Sequence, residues 1–189
     1  VRGYYSKLLK HNIEIKSGSN KKEIQIWLDS LSDSNERQES DKVDLLLVHK
    51  DESSEAEIIF GVIHVKASFA ERRTDDVPLS KFLMNKNLFS PLITMDCKAF
   101  PSENPRNLGE LGSVGESESA KRMDIEDEMH FSACYSFNSN TTPTPKESQK
   151  PGRIHIIKAV DAVNSRQEPD AFIQDAIKAR NSYINHAAN

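Results

Sequence analysis

A repeat of apolar residues every three or four positions, close to the beginning of the chain, predicts its first helix. The apolar positions are Ile24, Trp27, Leu28 and Leu31. Asn20 and Glu23 stand at the start of this stretch with the spacing of a capping box, in which each side chain bonds to a free backbone amide. We therefore predict a helix over residues 20–31, followed by a polar loop.

Two runs of consecutive apolar residues follow, at 43–48 and 58–65, with a charged turn between them. Their content of Val, Ile and Leu is typical of β-strands, and the short separation indicates an antiparallel hairpin. Apolar residues occupy successive positions, not only alternate ones, as in sheets covered on both faces. This pattern favours an α/β fold.

The rest of the chain continues the alternation of helices and strands. Helical spacing recurs at 79–88 and 169–187, and apolar stretches at 91–100, 130–137 and 153–160 are typical of strands. Residues 101–129 are predicted to form an irregular segment with one or two helical turns. Residues 138–152 are predicted to form a polar, proline-rich loop. The predicted fold is α/β, a mixed central β-sheet flanked by helices.

Composition limits the classes of protein to which the chain can belong. Its 189 residues fit a single domain, with the core motif within 20–100 and later elements within 130–187. No apolar run approaches the length of a membrane span. The net charge of -4 provides no overall positive field for a polyanion, so any nucleic acid must meet local patches.

The beginning of the chain and its two cysteines bear on location. The sequence starts at Val1 without the apolar core of a secretory signal, which we interpret as a fragment or a processed start. Cys97 and Cys134 are too few and too far apart for a disulfide framework or a CxxC metal site. We expect a soluble protein in a reducing cytoplasm.

The predicted hairpin gathers the most informative polar side chains. Asp44 begins its first strand, and His64 and Lys66 end its second, so antiparallel pairing puts them at the same end. His64 and Lys66 are two positions apart and project from the same face. A carboxylate, an imidazole and an ammonium are thus expected to converge.

Such a group suits hydrolysis of a phosphodiester bond. Mg²⁺ binds through one or two carboxylates and keeps several waters, one of which can attack phosphorus. A neighbouring lysine orients that water and stabilises the charge of the transition state. We therefore take Asp44 as a metal ligand and Lys66 as the residue that positions water.

The arrangement resembles the PD-(D/E)xK nuclease superfamily, and more closely a type II restriction endonuclease. That pattern has an acid opening the second core strand and (D/E)-x-K on the third, here Val43-Asp44 and His64-Val65-Lys66, after a leading helix. The stretches IIFGVIHVKASFAERRTDDVPLS and SPLITMDCK also look like the central block of restriction enzymes. The resemblance implies Mg²⁺-dependent, sequence-specific cleavage of double-stranded DNA by a homodimer.

His64 occupies the position of the family's second acid. Imidazole is a poor ligand for Mg²⁺, but it can hold a transition metal or act as a base near neutral pH. We therefore expect His64 or Glu71 to complete the catalytic site. Glu71 is the first substitute as a catalytic and metal-binding acid, followed by Glu23 and Asp96. Asp96-Cys97-Lys98 is itself a D-x-K sequence and is an alternative motif.

Two segments are candidates for contact with DNA. Arg72 and Arg73 follow the catalytic strand, and arginine binds guanine or phosphate through two bonds; alternatively they pair with Asp75 and Asp76. The 138–152 loop offers polar side chains for phosphates or base edges: Asn138, Asn140 and Thr141. The acidic stretch 103–128 is expected to face away from DNA.

Other interpretations of the same residues stay open. Asp44 could instead be a strand-edge acid bonded to a backbone amide, His64 a packed or hydrogen-bonded strand histidine, and Lys66 a solvated strand end. At the level of function, the alternatives are a DNA-binding or assembly module that keeps the fold without cleaving, and a repair or junction nuclease.

Overall fold

A six-stranded sheet with helices on both sides forms the described part of the chain. The computed structural model describes residues 8–32, 38–51, 56–68, 73–98, 108–115, 118–157 and 170–187. The strands are β1 (Ile13–Ser17), β2 (Leu45–Lys50), β3 (Glu57–Lys66), β4 (Leu92–Thr94), β5 (Cys134–Ser136) and β6 (Ile154–Ile156). The helices are α1 (Lys21–Leu31), α2 (Arg73–Asn85), α3 (Ala120–Glu126) and α4 (Ala171–Ala187). The predicted α/β fold with a mixed sheet is confirmed.

The six strands lie in the sheet in their order along the chain. β1, β2 and β3 are antiparallel, whereas β3 to β6 are parallel. Lys66 is opposite Thr94, Thr94 opposite Ser136, and Ser136 opposite Ile156. The carboxyl ends of the four parallel strands therefore form one edge of the sheet, with Lys66 in its first position.

The predicted hairpin is present as β2 and β3. Leu45 pairs with Ile63 and Lys50 with Glu57, so both strands extend further into the charged segment than the apolar runs alone predict. Asp44 directly precedes β2 and thus lies beside the last residues of β3. The register that brings an acid next to Lys66 is fixed by the hairpin.

The hairpin is covered on both faces, as its consecutive apolar residues predict. Leu47 belongs to a cluster with α4, which includes Phe60, Ile63 and Phe172. Its neighbour Leu46 belongs to a second cluster with residues of α1 and α2. Burial of adjacent residues on opposite faces removes apolar surface from water on both sides and makes β2 and β3 the centre of the core.

Helix α1 matches its prediction except at its start. Ile24 and Leu28 are buried, but Asn20 makes no side-chain bond to the helix, so the predicted capping box is absent. Lys21 instead donates to the carbonyl oxygens of Ser40 and Val43, both at 3.0 Å. The helix is thereby tied to the segment that leads into Asp44.

The later elements differ from their predictions in length. Helix α2 begins at Arg73, before the first apolar residue of its stripe, and β4, β5 and β6 have three residues each. Asp96, two residues after β4, adopts φ 46°, and Met129, three residues after α3, adopts φ 47°; both are left-handed backbone conformations. In the described part of the chain, no helix is long and apolar enough to cross a membrane.

Candidate active site

A backbone hydrogen bond holds Asp44 in place independently of its side chain. Its carbonyl oxygen accepts a hydrogen bond from the amide of Gly18 at 2.9 Å. A Cβ atom at Gly18 would overlap the carbonyl oxygen of Val43, so only glycine permits this approach. Contacts with Gly18, which follows β1, and with Lys21 of α1 therefore fix the position of the start of β2.

The side chain of Asp44 connects the two strands of the hairpin. Its Oδ2 accepts from the backbone amide of Val65 at 2.9 Å and from Nζ of Lys66 at 3.2 Å. The predicted convergence of Asp44 and Lys66 is thus present in the structure. The bond to a backbone amide, which the alternative interpretation of Asp44 anticipated, is present too.

Lys66 bridges two carboxylates. Its Nζ lies 2.8 Å from Oδ2 of Asp76 as well as 3.2 Å from Oδ2 of Asp44, and its side chain is only 16% exposed. The Asp44 side chain is 34% exposed, so a cation can reach it from solvent. The carboxylates of Asp44 and Asp76 lie beside the end of β3, and carboxylate oxygens are the ligands that Mg²⁺ prefers.

Asp76 is the member of this cluster that the sequence pattern does not identify as a site residue; the sequence predicts it only as an alternative partner of Arg72 or Arg73. It lies in α2, with 4% of its surface exposed. A signal was available: Asp76 precedes Leu79 by three positions and Leu83 by seven, which places it on the buried stripe of the helix. A buried carboxylate on such a stripe requires a partner, and Lys66 provides it.

His64 lies in the core and does not join the cluster. It has no exposed surface, its Nε2 is 2.9 Å from the hydroxyl of Ser90, and its ring packs edge-on against Phe131. Burial lowers the pKa of His64 to about 4; the Asp44 carboxylate opposes this shift and the Lys66 ammonium adds to it. His64 is thus enclosed in the core, as the alternative of a packed, hydrogen-bonded strand histidine anticipates, and the structure describes no hydrogen bond or ion pair between its side chain and Asp44 or Lys66. A direct role of His64 in catalysis stays a prediction.

The other acids considered as substitutes are placed differently. Glu71 lies outside the described residues, as does Arg72. Glu23 is exposed in the first turn of α1. Among the contacts that the structure describes for Asp44 and Lys66, neither Glu23 nor Asp96 takes part.

Asp96 is a buried centre of hydrogen bonds, not a surface acid. Its carboxylate accepts from the hydroxyl of Thr141 at 2.6 Å and from the amides of Glu110 and Leu111. Burial raises the pKa of Asp96, and these hydrogen bonds oppose the shift. The alternative D-x-K sequence therefore has its acid directed into the protein, where it joins the 108–112 segment to the loop after β5.

The predicted DNA contacts after β5 divide between the interior and the surface. Thr141 is 2% exposed, and its hydroxyl is used by Asp96 and Ser136. Asn138 donates to the carbonyl oxygen of Asp96 and accepts from the amide of Asn140, which closes a turn. Only Asn140 of these three is exposed. Arg73 begins α2, but its side chain is outside the described part.

A buried ion pair fixes the loop after β5 to α3. Arg122 has no exposed surface, and its Nη1 donates to Oε1 of Glu126 at 2.7 Å while Nη2 donates to the carbonyl oxygen of Thr142. Lys150 lies 3.1 Å from Glu126 and 2.7 Å from Glu118. Several acids of the 103–128 stretch are therefore neutralised by cations within the protein.

Comparisons with known proteins show a similarity in sequence. The chain is 40% identical over 100 residues to the type II restriction enzyme AgeI of Thalassovita gelatinovora, an alignment that covers 52% of the chain and 36% of the enzyme. No family model matches the chain.

Two solved structures share the fold. A specific AgeI–DNA complex superposes with a TM-score of 0.74 at 30% identity, over 93% of this chain and 62% of that one. A pre-specific BsaWI–DNA complex superposes with a TM-score of 0.55 at 17% identity, over 98% of this chain and 60% of that one, and shows the fold alone. The chain thus spans less than two thirds of the length of each protein it matches. The predicted resemblance is confirmed: in fold, and over 100 residues in sequence, the chain is similar to a type II restriction endonuclease.

Proposed function

We propose that the chain carries the catalytic centre of a site-specific endodeoxyribonuclease, which hydrolyses phosphodiester bonds of double-stranded DNA with a divalent metal ion. The observation that carries this proposal is the position of Lys66 between Asp44 and Asp76. The names of the matched enzyme and of the two DNA complexes support it.

Asp44 and Asp76 are the residues that would hold Mg²⁺. Their carboxylates supply hard oxygen ligands, and both are already directed to one point by Lys66. When bound, the ion supplies charge neutralisation at the phosphate and a water of lowered pKa. Glu71, five positions after Lys66, is proposed as a further acid of the site.

Lys66 orients the attacking water and stabilises the charge that develops on the phosphoryl oxygens. Its ammonium is held by two carboxylates, so little reorganisation is required when the phosphate arrives. Water attacks phosphorus, the bond from phosphorus to the leaving oxygen breaks, and that oxygen takes a proton. The reaction yields a phosphate end and a hydroxyl end.

DNA recognition is proposed for side chains on the same edge of the sheet. Asn140 follows β5 at the edge where Lys66 ends β3. Arg73 is the first residue of α2, and Arg72 precedes it in the sequence. A homodimer is proposed because two-fold symmetric enzymes cut both strands of a palindromic site.

Cleavage of a long double-stranded DNA of known sequence by the full protein tests the proposal. We expect discrete bands with Mg²⁺, none with a chelator, and none for Asp44→Ala or Lys66→Ala. The matched control is Asp127→Asn, an exposed acid, which should cut like the wild type. DNA binding without cleavage in Mg²⁺ or Mn²⁺ would establish a non-cleaving module instead, and nicking at junctions alone would establish a repair nuclease.

A further inference from the structure

A second set of metal-ligating side chains lies where the chain leaves α3. Asp124 is in the last turn of this helix, and Glu128 and His130 follow within six residues. One ligand atom from each lies within 4.8 Å of the others. None of the three belongs to the cluster around Lys66.

The local backbone explains why these side chains meet. Met129 adopts φ 47°, a left-handed conformation that reverses the chain after the helix. The amide of His130 then donates to the carbonyl oxygen of Asp124 at 3.0 Å. The imidazole is thereby folded back over the end of α3.

His130 is buried with one ring nitrogen unpaired. Its side chain is 9% exposed, and Nε2 lies 2.7 Å from Oε2 of Glu128. Nδ1 is buried, has no hydrogen-bond partner among the described residues, and lies 3.9 Å from Oδ1 of Asp124. Buried polar atoms are almost always satisfied, so an orphaned nitrogen directed at a carboxylate points to a bound cation.

We propose that Asp124, Glu128 and His130 bind a divalent transition-metal ion of the Zn²⁺ class. Imidazole with carboxylates suits Zn²⁺, whereas Mg²⁺ prefers oxygen alone. Metal–ligand distances of about 2.0–2.2 Å allow one ion to lie between Nδ1 and the Asp124 carboxylate. The Glu128 side chain is 59% exposed and would exchange its contact with Nε2 of His130 for the ion, and water would complete four-coordination.

The position of the site indicates a structural purpose. Phe131, the next residue, packs against His64 with ring centroids 5.2 Å apart. Ser132 accepts a hydrogen bond from the amide of Ser90 at 2.8 Å. An ion at His130 therefore fixes the connection from α3 to β5 against the strand that ends in Lys66.

Metal titration of the full protein tests this site apart from the catalytic centre. The background variant carries Asp44→Asn and Asp76→Asn, which removes the carboxylates proposed for Mg²⁺. We expect one equivalent of Zn²⁺ by competition with a chromophoric chelator, and Co²⁺ absorption typical of a nitrogen and oxygen ligand set. Since even a partner of a ligand contributes about 10- to 100-fold to affinity, His130→Gln should weaken binding by at least about 10-fold.

Two further variants make the result decisive. Glu128→Gln changes an exposed side chain, so it should fold, and it should also weaken Zn²⁺ binding by about 10-fold or more. Asp127→Asn, an exposed neighbour, should leave binding unchanged. The proposal is overturned if the background variant binds no stoichiometric Zn²⁺, or if Glu128→Gln and His130→Gln bind it as tightly as the background.

Discussion

Nζ of Lys66 lies 2.8 Å from Oδ2 of Asp76, closer than its 3.2 Å from Oδ2 of Asp44. The shorter contact joins the end of β3 to α2, and the longer one joins it to the start of β2. The ammonium therefore links three elements of the core. The more deeply buried of its two acids lies on the helix, outside the strands in which the family pattern is read.

Replacement of Asp76 by Asn should reduce DNA cleavage by at least about 100-fold, because it removes a carboxylate proposed to hold Mg²⁺ and the nearer partner of Lys66. Single-turnover cleavage at saturating DNA, with Mg²⁺ varied, measures both the rate and the metal requirement. Asp127→Asn provides the matched control. Unchanged cleavage by Asp76→Asn would exclude this carboxylate from the site.

The protein should lose stability on acidification through His64. Because the pKa of His64 is lowered to about 4 from an ordinary 6.5, the unfolded chain binds more protons than the folded one between these values. The penalty begins as pH falls below the unfolded value and is complete below the folded one. It amounts to about 3 kcal/mol, since one pKa unit corresponds to about 1.4 kcal/mol.

Denaturant unfolding at pH 7.0 and pH 4.5 measures this loss. A His64→Gln variant should show a smaller loss between the two pH values, whereas His186→Gln, at an exposed position, should match the wild type. His64→Gln should also retain cleavage at pH 7 if the enclosed ring takes no proton from water. An identical loss in wild type and His64→Gln would contradict the assignment.

Replacement of Arg122 by Met should lower the free energy of unfolding by about 3 kcal/mol or more, because it leaves the buried Glu126 with less compensation. The double variant Arg122→Met, Glu126→Met should recover part of this loss. Urea unfolding of both, with Lys121→Met as a control for a more exposed pair, supplies the comparison. Equal losses of unfolding free energy in Arg122→Met and Lys121→Met would contradict a special contribution of the buried pair.

Replacement of Asp96 by Ala should free the loop after β5 from the 108–112 segment. We expect destabilisation of about 1–3 kcal/mol, since Thr141 and two backbone amides lose their acceptor. Hydrogen exchange at the amides of Glu110 and Leu111 should accelerate. The control Thr141→Val, which removes one donor only, should have a smaller effect; equal protection of both amides in Asp96→Ala and wild type would refute this view.

The sequence permits prediction of those features that depend on periodicity and on pairing of neighbouring strands. The apolar spacing in α1 and the register of β2 and β3 follow from the pattern, so Asp44 and Lys66 could be placed together. Local side-chain chemistry was less informative: Asn20 and Glu23 have the capping-box spacing, but Lys21 makes the bonds that fix this end of α1.

The remaining parts of the site depend on contacts between distant segments. His64 and Lys66 are two positions apart, yet Phe131 and Ser90 enclose the first while the second is held by acids. The burial of Asp96 results from a left-handed backbone conformation and from a segment that returns from another part of the chain. No spacing within one strand encodes such contacts.

The carboxyl ends of β3, β4, β5 and β6 lie side by side on one edge of the sheet. The connections that leave these strands therefore start from the edge of the sheet that carries Lys66, while apolar side chains anchor the strands in the core. On the proposed function, insertions and exchanges in those connections would alter the DNA sequence that is selected and leave the cluster at Lys66 intact. Under that proposal, the selectivity for a DNA sequence can change during evolution without a change in the residues that carry out hydrolysis.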